Sequence, residues 1–282
     1  MRYGLVLPNA GPCDARKLSQ LASIAEEAGW DGIFLEDYIV HHHAHDVPTY
    51  DPWVALAAMA LHTEHIRLGT TVTPLPRRRP WKLARETVTL DRLSNGRLIL
   101  GVGLGDLNDA GFGRVGEATE DRQRGRMVDE ALDVLEGLWS GQPFSYHGAH
   151  YQVDDVTFQP TPAQASRIPI WIGGGWPKKG IVQRAARYDG ICPYKIHEEG
   201  AFTDMTPAEV QALKASIQSL RSTSAPFDIA LGGRERDDDL EQDRSTIRLL
   251  AGAGATWWIE YIPVGELEGM RACVKRGPLR ID

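Results

Sequence analysis

The sequence predicts an α/β fold of the TIM (β/α)8 barrel type, and three observations carry that reading. Short apolar runs alternate with longer segments of helical period, the arrangement that gives parallel strands joined by crossover helices. Eight such strand-helix pairs can be counted along the chain. The length of 282 residues is close to the ~250 residues typical of a closed barrel of eight units.

The predicted strands cover 3–7, 32–36, 66–72, 97–101, 169–172, 190–193, 227–231 and 256–261. Helical segments are predicted at 14–28, 51–63, 80–93, 121–139, 177–187, 207–221, 239–252 and 265–275. In the first helix Leu18, Leu21, Ala22, Ala25 and Ala28 share one face, and Gly29 supplies the C-terminal cap before the next strand. Ala253-Gly254 repeats that ending before the last strand. Asp51 reads as the N-cap of the second helix, with Pro52 in its first turn. The segment 144–156 breaks the rhythm and reads as a small hairpin with Gly148 in its turn. It is an excursion on one single-domain barrel spanning 1–282. The acidic tract 234–243 opens the seventh helix with carboxylates where the helix dipole favours them.

Composition excludes several classes of function. A formal net charge of -7 and a pI near 5.7 argue against a nucleic-acid partner, which needs clustered positive charge. Cys13, Cys192 and Cys273 are odd in number and far apart, so neither a disulfide framework nor a CxxC metal site is implied, and a reducing cytoplasm fits. The apolar run at the N-terminus is too short for a signal peptide, and no apolar run approaches the ~20 residues that cross a bilayer.

Reactive groups in such a barrel lie at the carboxyl ends of the strands and in the loops that follow. That rule selects Pro8 and Asn9, then Glu36, Asp37 and Tyr38, then Thr70 to Thr73, then Gly103, Leu104, Gly105 and Asp106. Further along it selects Gly173, Gly174, Gly175 and Trp176, Tyr194 and Lys195, and Trp258 and Glu260. Gly173-Gly174-Gly175 either lets the backbone approach a ligand ahead of a helix starting at Pro177, with Lys178 and Lys179 adding charge for a phosphate, or is a strand-to-helix turn without a ligand. Gly101-Val-Gly-Leu-Gly105 does not complete GxGxxG, because Asp106 stands where the third glycine belongs, so a Rossmann site is rejected. Arg77, Arg78 and Arg79 are either a solvated loop or a contact for an anionic cofactor or substrate tail. His41-His-His-Ala-His45 lies past a strand end without strand-terminal His and Asp partners, so no metal is expected; a solvated loop and the mouth of a substrate pocket stay open.

The stretch from Ile66-Arg-Leu-Gly-Thr-Thr-Val-Thr-Pro to Leu90-Asp-Arg-Leu-Ser-Asn-Gly-Arg97 and Gly101-Val-Gly-Leu-Gly105 resembles the bacterial luciferase-like flavin oxidoreductases. Gly29-Trp-Asp-Gly-Ile-Phe-Leu35, Ile168-Pro-Ile-Trp-Ile-Gly-Gly174 and Arg184-Ala-Ala-Arg-Tyr-Asp-Gly190 extend the likeness over most of the chain. The resemblance implies a cleft at the strand carboxyl ends that holds reduced FMN or the 5-deazaflavin coenzyme F420. It also implies a non-proline cis peptide backing the ring, which ungapped reading puts at Thr70-Thr71, with Thr70, Thr71 and Val72 as ring support. The cofactor-binding set expected is Asn9, Thr70, Thr71, Val72, Gly103, Gly105, Gly173, Gly174, Gly175, Trp176 and Lys178; the catalytic set is Asp37, Tyr38, His42 and His43. Many members carry Asp-His where this chain has Asp37-Tyr38, and luciferases place an Arg after the fourth strand where this chain has Leu104. Phosphate binding is then left to the Gly173 segment, Lys178 or the Arg77 run. The expected activity is an FMN-dependent monooxygenase acting on a small organic substrate with reduced flavin and oxygen, a paired-donor reaction supplied by a separate flavin reductase. The alternatives are F420-dependent hydride transfer and a catalytically silent flavin-binding barrel. A homodimer is a further expectation from the family.

Overall fold

The computed structural model describes residues 1–41, 46–107, 109–196 and 202–281. The chain runs β1 (Arg2–Leu7), α1 (Ala15–Glu27), β2 (Gly32–Leu35), α2 (Pro52–Leu61), β3 (Arg67–Pro74), α3 (Pro80–Leu93), β4 (Leu98–Gly103) and α4 (Asp121–Trp139). The hairpin β5 (Phe144–His147) and β6 (Gln152–Val156) follows. The second half runs β7 (Ile170–Gly175), α5 (Lys179–Ala185), β8 (Gly190–Ile196), β9 (Phe202–Thr203), α6 (Pro207–Leu220), β10 (Asp228–Arg234), α7 (Leu240–Ala253), β11 (Trp257–Tyr261) and α8 (Leu267–Lys275). Parallel pairing in the order β1-β2-β3-β4-β7-β8-β10-β11, with β11 returning to β1, closes the barrel. Each of the eight predicted strands is one of these staves.

The helix ends obey local chemistry. Asp14 and Asp51 accept from the backbone N–H of Lys17 and Val54 at the starts of α1 and α2. Thr206 and Glu209 form a reciprocal capping box at α6. Gly29 (φ +85°) and Gly254 (φ +123°) turn the chain after α1 and α7, a backbone region that a side chain disfavours. The hairpin is fixed by Glu130 of α4, whose carboxylate accepts from the N–H groups of Ala149, His150 and Tyr151. Among the described residues no helix is long and apolar enough to cross a membrane.

Two apolar layers result. The outer layer lies between strands and helices; the inner one fills the barrel with Val6, Phe34, Ile99, Trp171, Ala230, Trp257 and Ile259. Phe34, Trp171 and Trp257 pack against one another with ring centroids 5.2 to 5.9 Å apart. Space for them comes from glycine on the same inner face. A Cβ on Gly32 would lie 2.9 Å from both Phe34 and Trp257, and one on Gly69 would lie 2.1 Å from the Ile99 carbonyl oxygen.

The Leu90 to Arg97 motif closes the other end. Asp91 is fully buried and accepts from the backbone of Ala163 and Gln164 and from the Gln164 side chain. Asn95 (φ 54°) and Gly96 (φ 78°) turn the chain, and Arg97 donates to the carbonyls of Ser94, Ile66, Ala60 and Thr63 and to Thr63 Oγ1. The most recognisable run of the sequence is therefore structural. Arg97→Ala strands these buried acceptors and is expected to cost about 3 kcal/mol, read as a lower urea midpoint.

Candidate active site at the carboxyl end of the barrel

Side chains alternate across a strand, so the residues that fill the barrel point to those that floor its mouth. On β2 the inward series Gly32, Phe34 continues to Glu36, and the β2–β3 register pairs Leu35 with Thr70 one step below. On β11 the inward series Trp257, Ile259 continues to Tyr261. β7 contributes Trp171 and then Gly173, which is in register with Cys192 of β8. The upper layer is thus small on β3, β4 and β7 and carries Glu36 and Tyr261 on β2 and β11.

The β3–β4 ladder slips between Thr70 and Thr73, leaving Thr71 and Val72 in a bulge, and the Thr71-Val72 peptide is cis. The cis bond lies one residue beyond the expected Thr70-Thr71. Thr70 is fully buried and donates to the Gly101 carbonyl while accepting from Thr73, so its hydroxyl braces β3 against β4. Thr71 Oγ1 is buried with no hydrogen-bond partner among the described residues. Val72 lies between Gly103 and Gly173: a Cβ on either would come within 2.9 and 2.5 Å of its methyl groups. Thr71, Val72, Gly103 and Gly173 are thereby brought together.

Several expected assignments are corrected. Gly173, Gly174 and Gly175 are the end of β7 and pair with Cys192, Pro193 and Tyr194; they form no turn. Pro177 follows Trp176 in a cis bond, and α5 begins only at Lys179, so no helix starts at Pro177. Lys178 is exposed, and Trp176 is tied to β8 by its N–H to the Tyr194 carbonyl, 2.9 Å. Gly105 (φ +85°) stands against Phe112 and Pro74, a tight turn and not a surface offered to a ligand. Asn9 is fully buried with its amide donating to the Tyr38 and Tyr50 carbonyls and its Oδ1 accepting from the Tyr38 N–H. It holds the Tyr38 segment and has no amide group left for a cofactor. Glu260 and Trp258 face the helices: Glu260 pairs with Arg236 and Arg276, and Arg234 lies over the Trp258 ring.

Asp37 is buried in a charge cluster. Arg78 Nη2 reaches both its oxygens at 2.7 and 2.8 Å, and Arg77 contacts Asp37 Oδ1 at 3.4 Å and also donates to its carbonyl oxygen. Arg77 continues to Asp109, which also accepts from the Gly111 N–H. The side chains of Arg77, Asp37 and Asp109 are each 1–2% exposed. Neither a solvated loop nor an anion contact describes Arg77 and Arg78; they join the loops after β2, β3 and β4. Asp37 accordingly builds the site, its carboxylate already engaged.

Glu36 is the group that the expected catalytic set omits. Its Oε2 is buried without a hydrogen-bond partner, and burial raises its carboxyl from the usual 4.5 to about 7. Burial and then the neighbouring Glu36 charge raise the hydroxyls of both Tyr38 and Tyr261, which keeps them protonated donors. The Tyr38 ring meets His41 edge-on at 5.3 Å; His42 and His43 lie outside the described residues. Among the described residues there is no group of three or more metal-ligating side chains. A concavity of about 500 Å³ lined by Gln164, Arg167, Asp189 and Ala225 opens near the starts of β7, β8 and β10, at the end opposite these groups.

A parallel barrel with titratable groups at its carboxyl end is the architecture of the (β/α)8 class, whose active sites lie at that end. Comparison with known proteins gives the family: the model described as luciferase-like monooxygenase matches residues 1–234, and the chain belongs to that family. An F420-dependent glucose-6-phosphate dehydrogenase of Kineococcus radiotolerans is 34% identical over 249 residues, 85% of this chain and 70% of that protein. The protein of the same description from Microbacterium testaceum is 36% identical over 166 residues, 57% of this chain and 47% of that protein, so the match spans about half the length of that relative. Among solved structures, the coenzyme F420-dependent tetrahydromethanopterin reductase of Methanopyrus kandleri superposes with a TM-score of 0.74 at 16% identity, covering 98% of both chains. A monooxygenase from Streptomyces bottropensis superposes at 0.76 with 18% identity, covering 98% of this chain and 97% of that one. These two show the shared fold.

Two outcomes are expected. Arg77→Met leaves Asp109 buried without its cation and costs about 3–5 kcal/mol, and adding Asp109→Leu recovers part of the loss, both read by urea unfolding. Glu36 carries a raised carboxyl, so its stabilising contribution is full below pH 4.5 and is lost as pH rises through about 7. Glu36→Gln therefore gains stability over the parent between pH 5 and 8.5, by up to about 3 kcal/mol; an equal difference at both pH values would refute the burial of a titrating carboxylate.

Proposed function

We propose that this chain is an oxidoreductase that uses the 5-deazaflavin coenzyme F420 and moves a hydride between it and a hydroxyl-bearing carbon of a small organic substrate. The observation that carries this reading is the 34% identity over 249 residues to a relative described as an F420-dependent glucose-6-phosphate dehydrogenase. The FMN monooxygenase first expected, and with it the separate flavin reductase, has weaker support: the monooxygenase neighbour from Streptomyces bottropensis is 18% identical and speaks for the fold alone.

The mouth suits a planar ring. Gly103 and Gly173 let the Val72 side chain pack flat between their strands, and the unpartnered Thr71 hydroxyl beside it offers one hydrogen bond. Thr71, Val72, Gly103 and Gly173 are the residues that would hold the ring, and exposed Lys178 and Lys179 lie beyond β7 for an anionic tail. When bound, the deazaflavin supplies a carbon that accepts or returns hydride. The chain's own part is to seat the substrate hydroxyl beside Tyr38 and Tyr261, whose phenols stay protonated and donate hydrogen bonds, and to keep water out with the apolar layer of Phe34 and Val6 beneath. The homodimer implied by the family belongs to this proposal, and sedimentation of the purified chain checks it.

Anaerobic fluorescence titration with F420, FMN and reduced FMN tests the cofactor. Micromolar binding of F420, followed by its reduction when a substrate alcohol is added, is the expected result. Preference for reduced FMN with oxygen uptake would reinstate the monooxygenase, and binding without turnover would leave a silent flavin-binding barrel.

A further inference from the structure

Tyr38 stands where the resemblance puts an imidazole in many members, and the proposed function leaves open which group takes the proton. Asp37 is held by Arg77 and Arg78, and the phenols of Tyr38 and Tyr261 hold their protons. Asp106 beyond β4 is exposed, so among the described residues Glu36 is the buried carboxyl at this mouth that no cation holds. Glu36 continues the inward series of β2 above Phe34, its Oε2 is buried and unpartnered, and Thr71 occupies the neighbouring inward position on β3 with a second unpartnered oxygen.

Resting on the proposed function, we infer that Glu36 is the proton-transfer residue of this site, accepting the hydroxyl proton of the substrate as its hydride departs. The C–H bond breaks with its electron pair passing to the deazaflavin. The O–H bond breaks, its pair becomes the second C–O bond of a carbonyl, and the proton ends on the Glu36 carboxylate. Charge and atoms balance with the deazaflavin as the oxidant. In the reverse direction the protonated carboxyl returns the proton to the alkoxide oxygen.

The surroundings suit both directions. Glu36 acts on Tyr38 of the same segment and on Tyr261 of β11, Glu235 acts on Tyr261 as well, Thr71 of β3 is neutral, and Val6 and Phe34 lie below. Asp106 and Asp109 of the β4 loop act on Tyr38. No cation among the described residues forms an ion pair with Glu36, and burial places its titration near 7, where a carboxyl can both take and give a proton.

The test uses the purified full chain, its Glu36→Gln and Glu36→Asp variants, F420, and glucose 6-phosphate and propan-2-ol as alcohol probes. Infrared titration without cofactor is expected to show one carboxyl titrating near pH 7 that disappears in Glu36→Gln. That variant should bind F420 within about threefold of the parent while kcat falls by ~10²–10⁴-fold. The rise of kcat/KM for alcohol oxidation through pH 7 should be lost with it, and Glu36→Asp should restore part of kcat. Absence of the infrared titration, kcat within threefold of the parent, or a persisting pH limb in Glu36→Gln would each overturn the inference and leave the F420 function standing. Failure of the parent to bind F420, or to oxidise either alcohol, would overturn the proposed function itself and this inference with it.

Discussion

Eight parallel strands closed around one axis leave a fixed interior, and this chain spends most of it on three aromatic rings. Phe34, Trp171 and Trp257 occupy the middle of the barrel, and close packing then dictates what their neighbours on the inner face can be. Below and beside them the answer is glycine, at Gly32 and Gly69. Above them the inner face thins to Thr71, Gly103 and Gly173 on three consecutive staves, with Val72 packed between the two glycines. The same stacking explains the half-buried Glu36: it is the next inward position above a ring, its Oε2 is shielded from water, and among the described residues no cation pairs with it.

A second economy governs the loops around that opening. Charged side chains at strand ends read as reactive, yet most of those here are engaged with one another. Arg77 joins Asp37 to Asp109 across three loops, and Arg78 completes the neutralisation of Asp37. Buried ion pairs of this kind add little net stability because desolvation opposes the attraction, but losing one partner is costly, so they fix geometry strongly. Asn9 works in the same direction with neutral chemistry, joining the loops after β1 and β2 through the backbone of Tyr38 and Tyr50. Among the described residues the mouth is therefore a frame of cross-linked loops around the unpartnered oxygens of Glu36 and Thr71.

The fold was legible because its signals are local. Strand and helix periods, the Asp51 cap and the Gly29 and Gly254 endings depend on residues within a few positions of each other. The site was legible only where it obeyed the same kind of rule. Gly173 to Gly175 read as a loop because glycine weakens isolated strands, and only the ladder to Cys192 and Tyr194 makes it β-structure. The cis bond fell one residue from its expected place because the bulge opposite Gly101 shifts the register, which ungapped reading cannot register. Asp37 looked free because the arginines that hold it stand 40 and 41 residues away. Glu36, already among the strand-end candidates, belonged in the catalytic set by the same rule: Gly32, Phe34 and Glu36 form one period-2 series, and a carboxylate as its third member points into the barrel.

The replacement of an imidazole by a tyrosine at position 38 then has a coherent physical reading. A histidine beside a buried carboxylate would take the proton, forming an ion pair and pulling the carboxyl down into its ordinary range. A phenol does the reverse. Tyr38 stays neutral, adds no positive charge near Glu36, and leaves burial as the dominant influence on that carboxyl. Losing the histidine is thus the condition under which a glutamate one position earlier can titrate near neutrality, so the departure from the family pattern at Tyr38 and the raised carboxyl at Glu36 are two sides of one arrangement.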